Sequence, residues 1–82
     1  MSGAPRFTLL SRAGCELCEE MLEELETFCS GQPHDIRVVD VDTDPRLKTR
    51  FGHKVPVLLL DDVPVCHGRF DAEEVGRLLR PR

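Results

Sequence analysis

The sequence predicts an α/β domain in the order β-α-β-α-β-β-α, a four-stranded mixed sheet flanked by three helices. Three observations point there. Short apolar runs at 6–11, 35–41, 55–60 and 63–66 have the length and the Val/Leu content of strands. A longer segment from residue 15 carries apolar residues at helical spacing. Two further segments, beginning near Asp44 and Asp71, carry helix-start signals.

"RFTLLS" at 6–11 reads as a buried strand through Phe7, Leu9 and Leu10. In the helix that follows, Leu17, Met21, Leu25 and Phe28 form one stripe, with Cys18, Leu22 and Cys29 beside it. Glu16, Glu19, Glu20, Glu23, Glu24 and Glu26 fill the other face, and Gly31 and Pro33 end the helix. "DIRVVDV" at 35–41 is a second strand. A short helix over 43–52 takes Asp44 as cap, Pro45 at its first position and Gly52 at its far end. "VPVLLL" at 55–60 reads as a strand buried on both faces. Asp61-Asp62 then turns the chain into 63–66, where Pro64 cannot donate to a ladder and predicts a sheet edge. The two strands should form an antiparallel hairpin, whereas the first two strands, joined by a helix, should be parallel. In "FDAEEVGRLL" Asp71 caps the helix, Glu74 completes a capping box, Phe70 and Val75 form a hydrophobic staple, and Val75, Leu78 and Leu79 supply the buried face.

The 82 residues suffice for a single domain, 1–82, with a modest core. A net charge of −4 argues against nucleic acid and gives no reason to expect an anionic membrane surface. The longest apolar run, Val55 to Leu60, is far short of a membrane span, and the N-terminal residues lack a signal-peptide pattern. A cytoplasmic protein is the expectation. In that compartment thiols stay reduced and the disulfides that form are mostly transient and catalytic, so the 4 cysteines do not read as a disulfide framework.

Cys15 and Cys18, in "RAGCELCEEM", fall where the first strand gives way to the first helix. A helix N-terminus presents unpaired N–H groups and the positive end of the macrodipole, which stabilise an anion. Cys15 there should have a lowered pKa and act as nucleophile. Cys18, one turn on, can attack a mixed disulfide formed on Cys15. A Cys-x-x-Cys beside a βαβ pattern is the sequence signature of a dithiol redox site.

With "CELC" at the strand–helix junction, "KVPVLLLDD" around Val55-Pro56, and "HGRFD" before the last helix, residues 6 to 80 resemble a glutaredoxin. Within the thioredoxin-fold superfamily the chain is most similar to the small DUF836-type glutaredoxin-like proteins. The resemblance implies a thioredoxin-like fold and a thiol–disulfide oxidoreductase. Cys15 matches the nucleophile and Cys18 the resolving cysteine. Arg12 matches a basic residue that favours the thiolate and the glutathione carboxylate. Pro56 matches a cis-proline, Val55 offers backbone hydrogen bonds to the substrate, and Gly68 and Asp71 hold the γ-glutamyl end of glutathione. From the residues alone, Asp71 is a helix cap, a role compatible with the other. The implied substrates are protein disulfides, glutathionylated proteins or small molecules. Glutathione or a reductase serves as reductant, no cofactor is bound, and the chain acts as a monomer.

The chain departs from the glutaredoxin pattern at several points. Glu16-Leu17 replaces the usual Pro-Tyr pair, the aromatic residue of the glutathione site is missing, and the double glycine is reduced to His67-Gly68. The approach "GHKVP" is one residue shorter. The glutamates near the cysteines oppose a thiolate and repel an anionic tripeptide, while Arg12 and Lys54 act in the other direction. Thiol–disulfide exchange survives these departures better than glutathione use does. A slowly turning-over adaptor module is the alternative from a different class, and a metal or iron–sulfur carrier is a third. For zinc, Cys15, Cys18, Cys29 and His34 are the available ligands. A continuous helix between Cys18 and Cys29 spans roughly 16 Å, too far for one ion. Cys29 reads as a buried small hydrophobe; Cys66, at the end of its strand, reads as packed, with a partly exposed extra redox or glutathionylation site as the alternative.

Overall fold

The computed structural model describes residues 3–79. The elements are β1 (Arg6–Ser11), α1 (Glu16–Cys29), β2 (Asp35–Asp40), a 3-10 turn (Val41–Thr43), α2 (Pro45–Phe51), β3 (Val57–Leu60), β4 (Val63–His67) and α3 (Ala72–Leu79). The strands form one sheet in the order β2-β1-β3-β4, with β1 and β2 parallel and the other neighbours antiparallel. The expected element order, the parallel first pair and the hairpin are all present.

β1 lies between two partners, and its side chains alternate between two cores. Phe7 and Leu9 pack with Met21, Leu25 and Cys29 of α1, Leu58 of β3 and Val75 of α3. Leu10 points the other way and packs with Val41, Phe51 of α2 and Val57. Thus α1 and α3 cover one face and α2 the other. Buried side chains of this size each contribute about 1.5–3 kcal/mol by leaving water.

The local signals explain most boundaries. The Asp44 carboxylate accepts the N–H groups of Arg46 (2.9 Å) and Leu47 (3.5 Å), and Pro45 opens α2. The Asp71 carboxylate accepts the Glu74 N–H at 3.0 Å. Asp61 and Asp62, with φ of 50° and 70°, make the two-residue hairpin turn whose twist suits the strands. β4 is an edge strand, as Pro64 requires. The ladder slips between Leu58 and Leu59, which pair with Cys66 and Pro64, so that Val65 is the extra residue of a bulge.

Several sequence expectations are corrected. The buried stripe of α1 is Cys18, Met21, Leu25 and Cys29, while Leu17 is 52% exposed. Neighbouring helical positions lie about 100° apart, and the stripe through Cys18 is the one aimed at the sheet. β2 stops at Asp40, because the Asp40 carboxylate accepts the Asp42 N–H at 2.8 Å and curls the chain into the 3-10 turn. β3 starts at Val57: Pro56 has no N–H to give, and its carbonyl is taken by Gly68. Within β3, Val57 and Leu58 are buried while Leu59 and Leu60 are half-buried. In α3 the capping box is half made, since the Glu74 carboxylate turns to Arg77 (2.6 and 3.1 Å). Leu78 is 41% exposed there.

The two sides of α1 should respond differently to truncation. Leu25→Ala is expected to cost about 2–5 kcal/mol, and Leu17→Ala less than about 0.5 kcal/mol. Thermal unfolding followed by circular dichroism measures the contrast.

Candidate active site

The sheet register gathers the sequence-predicted residues at one end. Val39, Leu10, Val57 and His67 form a row across the four strands. Just beyond that row lie the turn into α1, the 3-10 turn, the segment entering β3 and the loop between β4 and α3. Arg12, Cys15, Cys18, Val55, Pro56, Gly68 and Asp71 all belong to these segments or to the first turn of α1.

The turn into α1 is closed by a hydrogen bond from Cys15 N–H to the Arg12 carbonyl at 3.2 Å. Its third residue, Gly14, has φ 75°, a conformation that a β-carbon disfavours. Cys15 then stands as the extended cap of α1, and its sulfur accepts the Cys18 N–H at 3.1 Å. The helix thus begins one residue later than the sequence pattern suggests, and the cysteine does the work usually given to Ser or Asp. Cys15 and Cys18 are joined as a disulfide, with Cα atoms 5.2 Å apart. Cys15 is half-buried, and Cys18 is only 2% exposed beneath it. Cys15 is thus the less buried of the two, and Cys18 is backed by the core.

Arg12 connects this turn to the far face of the sheet. Its Nε and Nη2 donate to the two Asp42 carboxylate oxygens at 2.9 and 3.0 Å, and its Nη1 donates to the Gly52 carbonyl at 3.0 Å. The fork geometry is the strong form of an ion pair. It holds the Asp42 carboxyl below the usual carboxylate range, chiefly through the hydrogen bond. A β-carbon at Gly52 would meet the Lys48 carbonyl oxygen and come within 3.3 Å of Arg12 Nη2. The sequence marked Gly52 only as the end of the second helix and did not single out Asp42. The signal was there for Asp42: in a parallel β1/β2 pair Ser11 faces Asp40, so the residues just beyond each strand end are neighbours.

Val55 and Pro56 are joined by a cis peptide bond, and Pro56 is buried. The Gly68 N–H donates to the Pro56 carbonyl at 2.8 Å. Gly68 and Pro56 are thereby brought together, with Asp71 following as the cap of α3. A groove of about 290 Å³ runs beside Gly68 and Phe70, with Leu17, Glu20, Met21 and Glu24 of α1 along its other side. Burial pushes the thiols of Cys29 and Cys66 up. The backbone N–H of Asp71 offsets part of this at Cys66, while the Asp71 and Glu74 charges add to it.

Comparison with known proteins agrees with the fold. The model of a glutaredoxin-like domain (DUF836) matches residues 6–80. The uncharacterized protein Rv0508 of Mycobacterium tuberculosis is 39% identical over 62 residues, covering 70% of this chain and 64% of that protein. This chain therefore aligns with just under two thirds of that relative's length. The solution structure of protein Ne2328 from Nitrosomonas europaea superposes with a TM-score of 0.87 at 27% identity, covering 98% of this chain and 96% of that one. The X-ray structure of protein XcR50 from X. campestris gives 0.71 at 30% identity, with 89% and 93% covered. Thioredoxin 1 from Thermosipho africanus, at 19% identity and a TM-score of 0.60 over 90% of this chain and 93% of that one, shares the fold.

Two measurements follow from the site's chemistry. In the reduced protein at neutral pH, Cys15 should be alkylated first, and Cys66 and Cys29 only slowly, because burial holds the last two as thiols; peptide mass spectrometry resolves the order. The folded carboxyl value of Asp42 lies below its unfolded one. The Arg12–Asp42 pair therefore adds stability above the unfolded value of about 3.9, and loses it as pH falls through the lower folded value. The difference in unfolding midpoint between wild type and Asp42→Asn should shrink across that acid range.

Proposed function

The chain belongs to the glutaredoxin-like (DUF836) family of thioredoxin-fold proteins, and on that premise we propose that it is a thiol–disulfide oxidoreductase. The observation that carries this reading is the Cys15–Cys18 disulfide at the start of α1, with Cys15 the less buried residue of the pair. Reduced, Cys15 as thiolate attacks one sulfur of a substrate disulfide. That bond breaks, the leaving sulfur departs as thiolate and takes up a proton, and a mixed disulfide forms on Cys15. Cys18 gives up its proton, attacks the Cys15 sulfur and releases the second substrate thiol. Two electrons have then passed from the dithiol to the substrate, and the Cys15–Cys18 disulfide remains. The Cys18 N–H, aimed at the Cys15 sulfur, and the helix N-terminus favour the attacking anion.

The substrates are protein disulfides or glutathione mixed disulfides, and glutathione or a reductase returns the dithiol. Val55 offers backbone groups to an extended substrate segment beside Pro56, which is supported by Gly68 holding that loop. Gly68 and Asp71 provide the end of α3 where a γ-glutamyl carboxylate would sit. The reaction needs no bound cofactor. We place it in the cytoplasm, acting as a monomer. No helix among the described residues is long and apolar enough to cross a membrane.

Reduction of a glutathione mixed disulfide and of a protein disulfide should be measured for wild type, Cys15→Ser and Cys18→Ser. Cys15→Ser is expected to fall to the uncatalysed background on both. Cys18→Ser should keep activity on the glutathione adduct and lose it on the protein disulfide. A Cys15→Ser protein as active as wild type overturns the reading.

A further inference from the structure

Arg12 is the cation nearest to Cys15 along the chain. Its guanidinium is held on Asp42 and Gly52 by hydrogen bonds from Nε, Nη1 and Nη2. Asp42 is itself fixed, its N–H on the Asp40 carboxylate and the Thr43 hydroxyl on the Asp40 carbonyl. A paired guanidinium and carboxylate present almost no net charge to an approaching ligand.

The surroundings of Cys15 are otherwise acidic on the α1 side. Glu16 and Glu19 stand in the first turn of α1, and Glu20, Glu23, Glu24 and Glu26 follow. α1 carries no Lys or Arg, and none of these glutamates joins an ion pair among the described residues. The groove beside Leu17 is lined by Glu20 and Glu24 of α1 together with Arg69.

We propose that Asp42 is a specificity-determining residue: by claiming the Arg12 guanidinium it withdraws that cation from Cys15, so that neutral and cationic disulfides are taken in preference to anionic ones. The proposal rests on the oxidoreductase reading for its biological meaning. Its physical content, a charge preference at the Cys15 sulfur, is independent of turnover. The fork is what matters, because a carboxylate accepts from two guanidinium N–H groups at once and an amide has only one oxygen to offer. Asp42→Asn therefore both removes the neutralising charge and loosens the guanidinium. Asp42→Glu keeps the charge and the fork.

The test reads the charge preference directly. The reduced protein is alkylated with iodoacetate, an anion, and with iodoacetamide, its neutral analogue, and modification of Cys15 is followed by peptide mass spectrometry. In Asp42→Asn the iodoacetate-to-iodoacetamide rate ratio should rise between about twofold and about fivefold at low salt, the range expected for one freed charge that settles roughly 8 to 4 Å from the sulfur in water. The rise should fade at high ionic strength. Asp42→Glu should keep the wild-type ratio. In an Arg12→Ala background, Asp42→Asn should raise the ratio distinctly less, because there is no cation to free. A ratio unmoved in Asp42→Asn overturns the proposal, even if the variant unfolds at a lower temperature. So does an equal rise with and without Arg12, which would make Asp42 one surface charge among many. Loss of disulfide reductase activity in wild type would instead count against the oxidoreductase reading, and the alkylation ratios would still decide the role of Asp42.

Discussion

β1 is bonded on both edges and buried on both faces, and the site hangs from its C-terminal end. Phe7 and Leu9 anchor it to the α1/α3 side and Leu10 to the α2 side. A slip of one residue in its register would exchange those two sets and expose both cores. With β1 so held, Ser11 must leave the sheet between Asp40 on one neighbour and the start of β3 on the other. Everything chemical in the molecule follows from that exit point: the turn that aims Cys15, the 3-10 turn that carries Asp42, and the cis Val55–Pro56 segment.

The same placement explains how the two cysteines differ. Cys18 belongs to the stripe of α1 that packs on β1, so it is buried for the same reason as Met21 and Leu25. Cys15 precedes the helix and stays half-exposed. This difference in burial between the two cysteines arises from helix phase rather than from any special pocket. Charge is arranged by the fold in a similar way. Arg12 spans from the α1 turn to Gly52, so the cation of the site also braces the chain entering β3.

Caps, turns and edges were legible because each depends on a few consecutive residues. Asp44 with Pro45, Asp71, Asp61-Asp62 and Pro64 all sit where their local chemistry places them. Errors arose where a residue had a choice of partners. Glu74 can reach back to the helix start or forward to Arg77, and both options fit the sequence. Leu17 fits the helical stripe by spacing, yet the direction in which the sheet lies decided that it faces outward. The position of Cys15 as cap, with its sulfur on the Cys18 N–H, differs by one residue from a helix begun at Cys15, and only the backbone geometry distinguishes them.

By itself the sequence determined the order of elements, the β1–α1 junction that holds both cysteines, and the resemblance to glutaredoxins, since these rest on periodicity, turn chemistry and short motifs. The tertiary structure alone decided the partner of Arg12. Arg12 and Asp42 are 30 residues apart, and a guanidinium in this chain has many carboxylates to choose from. The choice was made by the parallel pairing of β1 with β2, which brings the ends of two distant strands side by side.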